Sequence, residues 1–120
     1  MAELFIDAEA PFIQLTTQNV EQIQQLAPFG KDNPRPIFVA SEVEIVPKSA
    51  KRMGGGQRHL TVTLTQFNKK IRCVAFGQGD WAEELDQISG PIDVAFKPVI
   101  NEFRGQRNVE LHLEDWRLSQ

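Results

Sequence analysis

Seven cationic side chains, Lys48, Lys51, Arg52, Arg58, Lys69, Lys70 and Arg72, fall between Pro47 and Gly79 without one acid among them. The chemistry open to such a run is electrostatic: attraction of a polyanion such as a phosphate backbone. The net charge of −3 hides this, because all sixteen acids lie outside the run. Other chemistries find no support. Gly54-Gly55-Gly56 resembles a phosphate cradle, but a strand pattern follows it and no Gly-Lys-Ser/Thr is present, which argues against a nucleotide P-loop and for a mobile finger. Cys73 alternates with strand residues and reads as a packed thiol. His59 and His112 have no Cys or acid at ligand spacing, so no metal site is expected. Asp7, Glu9, the Glu83-Glu84-Asp86 cluster and Glu114-Asp115 form no recognisable acid pair. No catalytic residue and no cofactor is expected in this chain.

The elements that must position the cations follow from periodicity. Leu4-Phe5-Ile6 is a short apolar patch within residues 3–9, a strand or an extended linker. Val20, Ile23, Leu26 and Ala27 recur at helical spacing, predicting a helix over 17–27. Thr16 or Thr17 would cap it, with Glu21 just beyond capping-box spacing. Pro28-Phe29-Gly30 ends the helix, and Pro34 and Pro36 prevent a restart. From Ile37 the period becomes two. Val43 and Ile45 mark a first strand running towards Lys48, and Leu60, Val62 and Leu64 mark a second. An Asn68-Lys69 turn leads to a third at Ile71–Phe76. Residues 80–88 read as a short helix, with Asp80 as N-cap and Trp81, Leu85 and Ile88 as the buried stripe. A fourth strand spans Ile92–Phe103, and the turn at 104–107 leads to a fifth through Val109, Leu111 and Leu113.

Three strands, a short helix and two strands are the order of a mainly β OB-fold, a five-stranded Greek-key barrel, here preceded by an N-terminal helix. An SH3-like barrel is the other candidate, but it has no reason for a helix between strands three and four. The division expected is a strand or linker, helix and hinge over 1–36, then the barrel over 37–120. In an OB-fold, ligands cross strands two and three between the loops joining strands 1–2 and 4–5. Those loops are residues 48–58 and 103–107, and both are basic. The candidate nucleic-acid contacts are therefore Lys48, Lys51, Arg52, Arg58, Arg72, Phe103, Arg104 and Arg107. If Leu60, Val62, Leu64, Ile71 and Cys73 face inward, the outward face presents His59, Thr61, Thr63, Thr65, Phe67, Arg72, Val74 and Phe76. Rings for stacking and cations for phosphates suit a single strand of any sequence. Trp81 and Trp116 read as core or barrel-end packing.

At 120 residues and 41% hydrophobic, the chain suits one domain. No stretch approaches the roughly 18 apolar residues of a membrane span. The acidic N-terminus lacks the features of a signal peptide. With one cysteine and no disulfide to make, a cytoplasmic location is expected.

The string Pro28-Phe29-Gly30-Lys31-Asp32-Asn33-Pro34-Arg35-Pro36 is unusual. With Arg58-His59-Leu60, Ala75-Phe76-Gly77, Val94-Ala95-Phe96 and Ile100-Asn101-Glu102-Phe103-Arg104-Gly105, it resembles the C-terminal part of the RecJ family. RecJ proteins are bacterial exonucleases that degrade single-stranded DNA from the 5′ end. The resemblance implies an OB-fold that binds the DNA strand next to catalytic domains of the same longer chain. Divalent metal ions would be held by Asp/His motifs of those domains, which do not occur here. The start within a linker-like segment favours a fragment over an orphan module. The competing expectation is a protein-interaction module whose basic loops dock an acidic partner.

Overall fold

The computed structural model describes residues 8–25 and 35–120. The described residues form seven strands: β1 (Ala8–Glu9), β2 (Phe38–Ile45), β3 (Lys51–Met53), β4 (His59–Gln66), β5 (Lys69–Ala75), β6 (Ile92–Phe103) and β7 (Gln106–Leu118). Helices α1 (Thr17–Gln25) and α2 (Trp81–Asp86) accompany them, with single 3-10 turns at Phe12–Gln14 and Gly55–Gln57. β2 pairs with both β4 and β6, β4 with β5, β5 with β7, and β7 with β6. That ring of pairings closes a barrel, antiparallel except between β5 and β7, with α2 between the third and fourth strands of the ring. This is the OB-fold. The sheet has seven strands rather than the expected five, because β1 joins the edge of β2 and β3 joins β4. Both additions are two or three residues long, too short to leave a period-two signal.

One strand can serve two neighbours because β2 bends. Its register against β6 shifts between Ala40 and Val43, both buried, and Glu42 there takes φ 54°. Asp93 supports this bulge: Oδ1 accepts the Glu42 N–H at 3.0 Å and the Ser119 hydroxyl at 2.7 Å, and Oδ2 accepts Arg117 Nε at 3.1 Å. Those donors, the Ser119 hydroxyl first, hold the Asp93 carboxyl below its ordinary range against the cost of burial.

Leu60, Val62, Leu64, Ile71, Cys73, Ile92, Val94, Phe96, Leu111 and Leu113 fill the barrel, as alternation requires. The segment before α1 joins the same core through Ala10, Phe12 and Leu15. Gln66 fixes it there, standing at an inward position of β4: its Oε1 accepts the Phe12 N–H and its Nε2 donates to Ser41 O, each at 2.7 Å. Thr16 is the N-cap of α1, its hydroxyl accepting the Asn19 N–H at 3.1 Å. Leu26, Ala27 and Pro28–Pro34, which held the helix end and most of the hinge string, lie outside the described residues, as does Leu4-Phe5-Ile6.

Three local expectations are corrected. The β4–β5 turn is Phe67-Asn68, both at positive φ, one residue before the expected Asn68-Lys69, and β5 runs from Lys69. In this two-residue hairpin turn, Asn tolerates the left-handed conformation readily. The β6–β7 turn is only Arg104-Gly105, at φ 52° and 78°, so Gln106 and Arg107 belong to β7. Asp80 stands at the N-terminus of α2 but its side chain caps nothing; the carboxylate is turned to Arg52.

Candidate nucleic-acid interface

The outward face of β4, β5 and β7 follows from the register. On β4, His59, Thr61, Thr63 and Thr65 alternate with the core leucines and valine. On β5 the outward positions are Lys70, Arg72 and Val74, continued by Phe76. The ladder sets Thr65 opposite Lys70, Thr63 opposite Arg72 and Thr61 opposite Val74. β7 adds Glu110 beside Arg72 and His112 beside Val74. Phe76 is 58% exposed, and its ring meets His59 at 5.5 Å and His112 at 5.1 Å, both edge to face. Val74 was expected to be presented to solvent, but it is buried outside the core cluster, flanked by Thr61 and His112. Burial, acting against the pull of Glu110, lowers the pKa of His112 and favours the neutral ring.

At one end of this face stands the glycine finger. β3 leads into the 3-10 turn at Gly55–Gln57, and β4 leaves it at His59. The finger is tied at its base. Arg52 binds Glu83 through Nε at 3.0 Å and Asp80 through Nη2 at 3.0 Å, and the Gly79 N–H donates to Arg58 O at 2.8 Å. The hydrogen bonds to Glu83 and then Asp80 push the Arg52 guanidinium further up, and the same contact holds Glu83 below its usual range. His59 Nδ1 accepts the Gly77 N–H at 2.8 Å. Gly54 must be glycine here: φ is +83°, and a Cβ would stand 2.6 Å from His59 Cδ2.

At the other end stands the β6–β7 hairpin. β2 covers β6 only as far as Phe96, so Pro98, which lacks an N–H, costs no ladder bond to β2. Beyond it the pair continues as a ribbon to Arg104-Gly105. Counting back from the parallel Arg72–Glu110 pair places Gln106 level with Asn68. The hairpin and the Phe67-Asn68 turn therefore share one end, while the finger and Phe76 share the opposite one. From Lys70 to Phe76 is about 20 Å along the strand at ~3.3 Å per residue. α1 packs on β6 and β7, and Glu21 forms an ion pair with Arg107. Lys69 Nζ donates to Leu15 O at 3.0 Å. A groove of about 490 Å³ lies between Thr16-Thr17 and the edge carrying Lys69, Lys70, Arg72, Asn101 and Asn108.

The expected contacts are thus brought to one face only in part. Lys51 on β3, Arg58 beside His59, and Arg104 are exposed and make no ion pair among the described residues. Arg104 lies 5.2 Å from the centre of the exposed Phe103 ring. Arg52, Arg72 and Arg107 are engaged by acids on α2, β7 and α1. Lys48 lies away from the group, lining a groove with Glu44 and Asp86 beside α2. Lys70, counted in the cationic run but not among the expected contacts, joins the face with Glu110 and His112, which were not foreseen. Alternation from Arg72 points to Lys70, whereas Glu110 and His112 need the parallel β5–β7 pair. Cys73 is fully buried, and burial pushes its thiol up. No cluster of His, Cys, Asp and Glu suited to a metal ion occurs among the described residues, and none of their helices is long and apolar enough to cross a membrane.

The sequence matches the RecJ OB domain family over residues 6–115. The chain belongs to that family. It is 24% identical over 106 residues to the single-stranded-DNA-specific exonuclease RecJ of Bacillus subtilis, covering 88% of this chain and 13% of that protein. The crystal structure of RecJ from Thermus thermophilus with Mn2+ superposes at a TM-score of 0.52 with 29% identity, over 79% of this chain and 13% of that one. A putative aspartyl-tRNA synthetase from Leishmania major Friedlin shares the fold, at a TM-score of 0.50 and 14% identity over 91% of this chain and 23% of its own. This RecJ OB domain therefore spans about an eighth of the RecJ proteins it matches.

Proposed function

We propose that this RecJ OB domain binds single-stranded DNA across the outward face of β4, β5 and β7. In this reading it holds the strand for a metal-dependent exonuclease core carried by the same longer chain. Residues 37–120 form the gripping barrel, with Ala10, Phe12 and Leu15 packed into its core. The observation that carries the reading is the layout of the face. Exposed cations stand at both ends, Lys51 and Arg58 at the finger and Lys70 and Arg104 towards the hairpin. Between them lie threonine hydroxyls, with the Phe76 ring beside His59 at the finger end. Cations follow phosphates while rings take bases, a division that tolerates any sequence. The name of the Bacillus subtilis relative supports the choice of a single strand.

Fluorescence anisotropy with a labelled oligothymidine and a duplex of equal length, over a range of salt, tests this. About four neutralised phosphates correspond to a log–log salt slope near −3, at roughly −0.7 per contact. Tighter binding to duplex than to oligothymidine overturns the proposal. Displacement by an acidic peptide but not by unlabelled oligothymidine identifies a protein-docking module instead.

A further inference from the structure

Halfway along the face, where a phosphate would be expected to meet Arg72, the position is already taken by an acid. Glu110 is only 9% exposed, and its Oε2 accepts Arg72 Nη1 at 2.5 Å and Asn101 Nδ2 at 3.4 Å. Its Oε1 lies 3.7 Å from His112 Nε2. On the other side, Arg72 Nη2 reaches Met53 Sδ on β3 at 3.7 Å. The guanidinium is therefore tied sideways on both edges, to Glu110 on β7 and to Met53 on β3. A row of side chains from four strands, Met53, Arg72, Glu110 and Asn101, crosses the face between its two cationic ends.

Two consequences follow from elementary electrostatics. The Arg72 charge is compensated within the protein, so a phosphate arriving there would release little counterion and would face a carboxylate. A guanidinium held across a sheet presents its plane, which stacks on a base. We infer that Arg72 is a base-stacking residue, and that Glu110 is the positioning residue that excludes phosphate from the middle of the face. The strand then lies with bases towards the sheet at its centre and with phosphates held only near the ends. This deepens the proposed function and rests on it.

The test is the salt dependence of oligothymidine binding by the full chain and its Arg72→Ala, Arg72→Lys and Glu110→Gln variants, each checked for folding by thermal melting. Arg72→Ala removes the stacking group and also uncovers the Glu110 carboxylate, and is expected to weaken binding at least about tenfold. Arg72→Lys keeps the charge but not the plane, and is expected to weaken binding similarly. Glu110→Gln exposes the Arg72 charge and is expected to steepen the slope by about 0.7. Wild-type binding by Arg72→Lys, which conserves the charge opposite Glu110, overturns the inference while leaving the proposed function intact. The Lys variant decides the matter even if Glu110→Gln does not fold. Failure of the wild-type chain to bind any single strand overturns the proposed function and the inference with it.

Discussion

At the finger end of the outward face, Arg52 is bound to Asp80 and Glu83, and Arg58 O receives the Gly79 N–H. At the hairpin end, Arg104 rests on the exposed Phe103 ring, and among the described residues only Arg107 has acidic partners, Glu21 and Glu102. The finger belongs to the run richest in cations, yet it uses Arg52 as a staple. The hairpin has fewer cations and leaves Arg104 turned to solvent. Charge density along a sequence therefore measures supply, while the acids that fold beside each cation decide what remains for a ligand. Arg52 shows this most clearly, since its partner Asp80 follows directly on the end of the acid-free run.

Substitutions sharpen the contrast between the ends. The largest effect is expected beneath the hairpin end, where Phe12→Ala empties a fully buried ring site. A loss of ~3–5 kcal/mol in urea unfolding is expected; a loss below about 1 kcal/mol would show that the segment before α1 is not part of the barrel's stability. Gly54→Ala attacks the finger end alone. Strain at positive φ together with the clash against His59 should cost ~1–3 kcal/mol, and Gly55→Ala, with open space around its added Cβ, should cost far less. Equal costs would mean that the finger is loosely held.

In binding, Phe103→Ala is expected to cost ~1–3 kcal/mol with little change in salt slope, if the ring stacks on a base. Arg104→Ala should flatten the slope by about 0.7. The smallest effect belongs to Arg52→Ala, whose guanidinium is already compensated: the slope should stay as in wild type. A flattening equal to that of Arg104→Ala would erase the distinction between the two ends.

A pH series supplies a control that favours neither end. Asp93 has a lowered folded pKa, so its contribution is complete above the ordinary carboxylate range, near pH ~4. It is lost as pH falls through the folded value. Asp93→Asn is therefore expected to melt lower than wild type at about pH 7, with the gap closing in acid. A gap that persists unchanged at the lowest pH would contradict the role given to the carboxylate.

The barrel was legible because its inward residues obey period two almost without exception, from Leu60, Val62 and Leu64 to Leu111 and Leu113. The bulge at Glu42 was not, since nothing in Ala40-Ser41-Glu42-Val43 announces a left-handed residue; its own amide is held by the Asp93 carboxylate, 51 positions away. The outward face of β4 was read correctly for the same reason as the core. Its electrostatics were not, because Glu110 meets Arg72 only once β5 and β7 lie side by side. Gln66 went unread although it stands at an inward position of an apolar strand, and its partners Phe12 and Ser41 are 54 and 25 positions away in the chain.

The parallel β5–β7 pair is the seam of the barrel, joining residues 38 positions apart in the chain at Arg72 and Glu110. Contacts across so long a loop form only after the entropy of closure has been met, so the seam, like the longer-range β2–β6 pairing, is expected to form late in folding. The row from Met53 to Asn101 exists only on a closed seam, and a chain with β7 detached retains the cations but not the surface that orders them. Hydrogen exchange at the amides of 110–112 should then proceed through global rather than local opening, and a bound strand should slow it by a factor of one plus the ratio of free strand concentration to Kd.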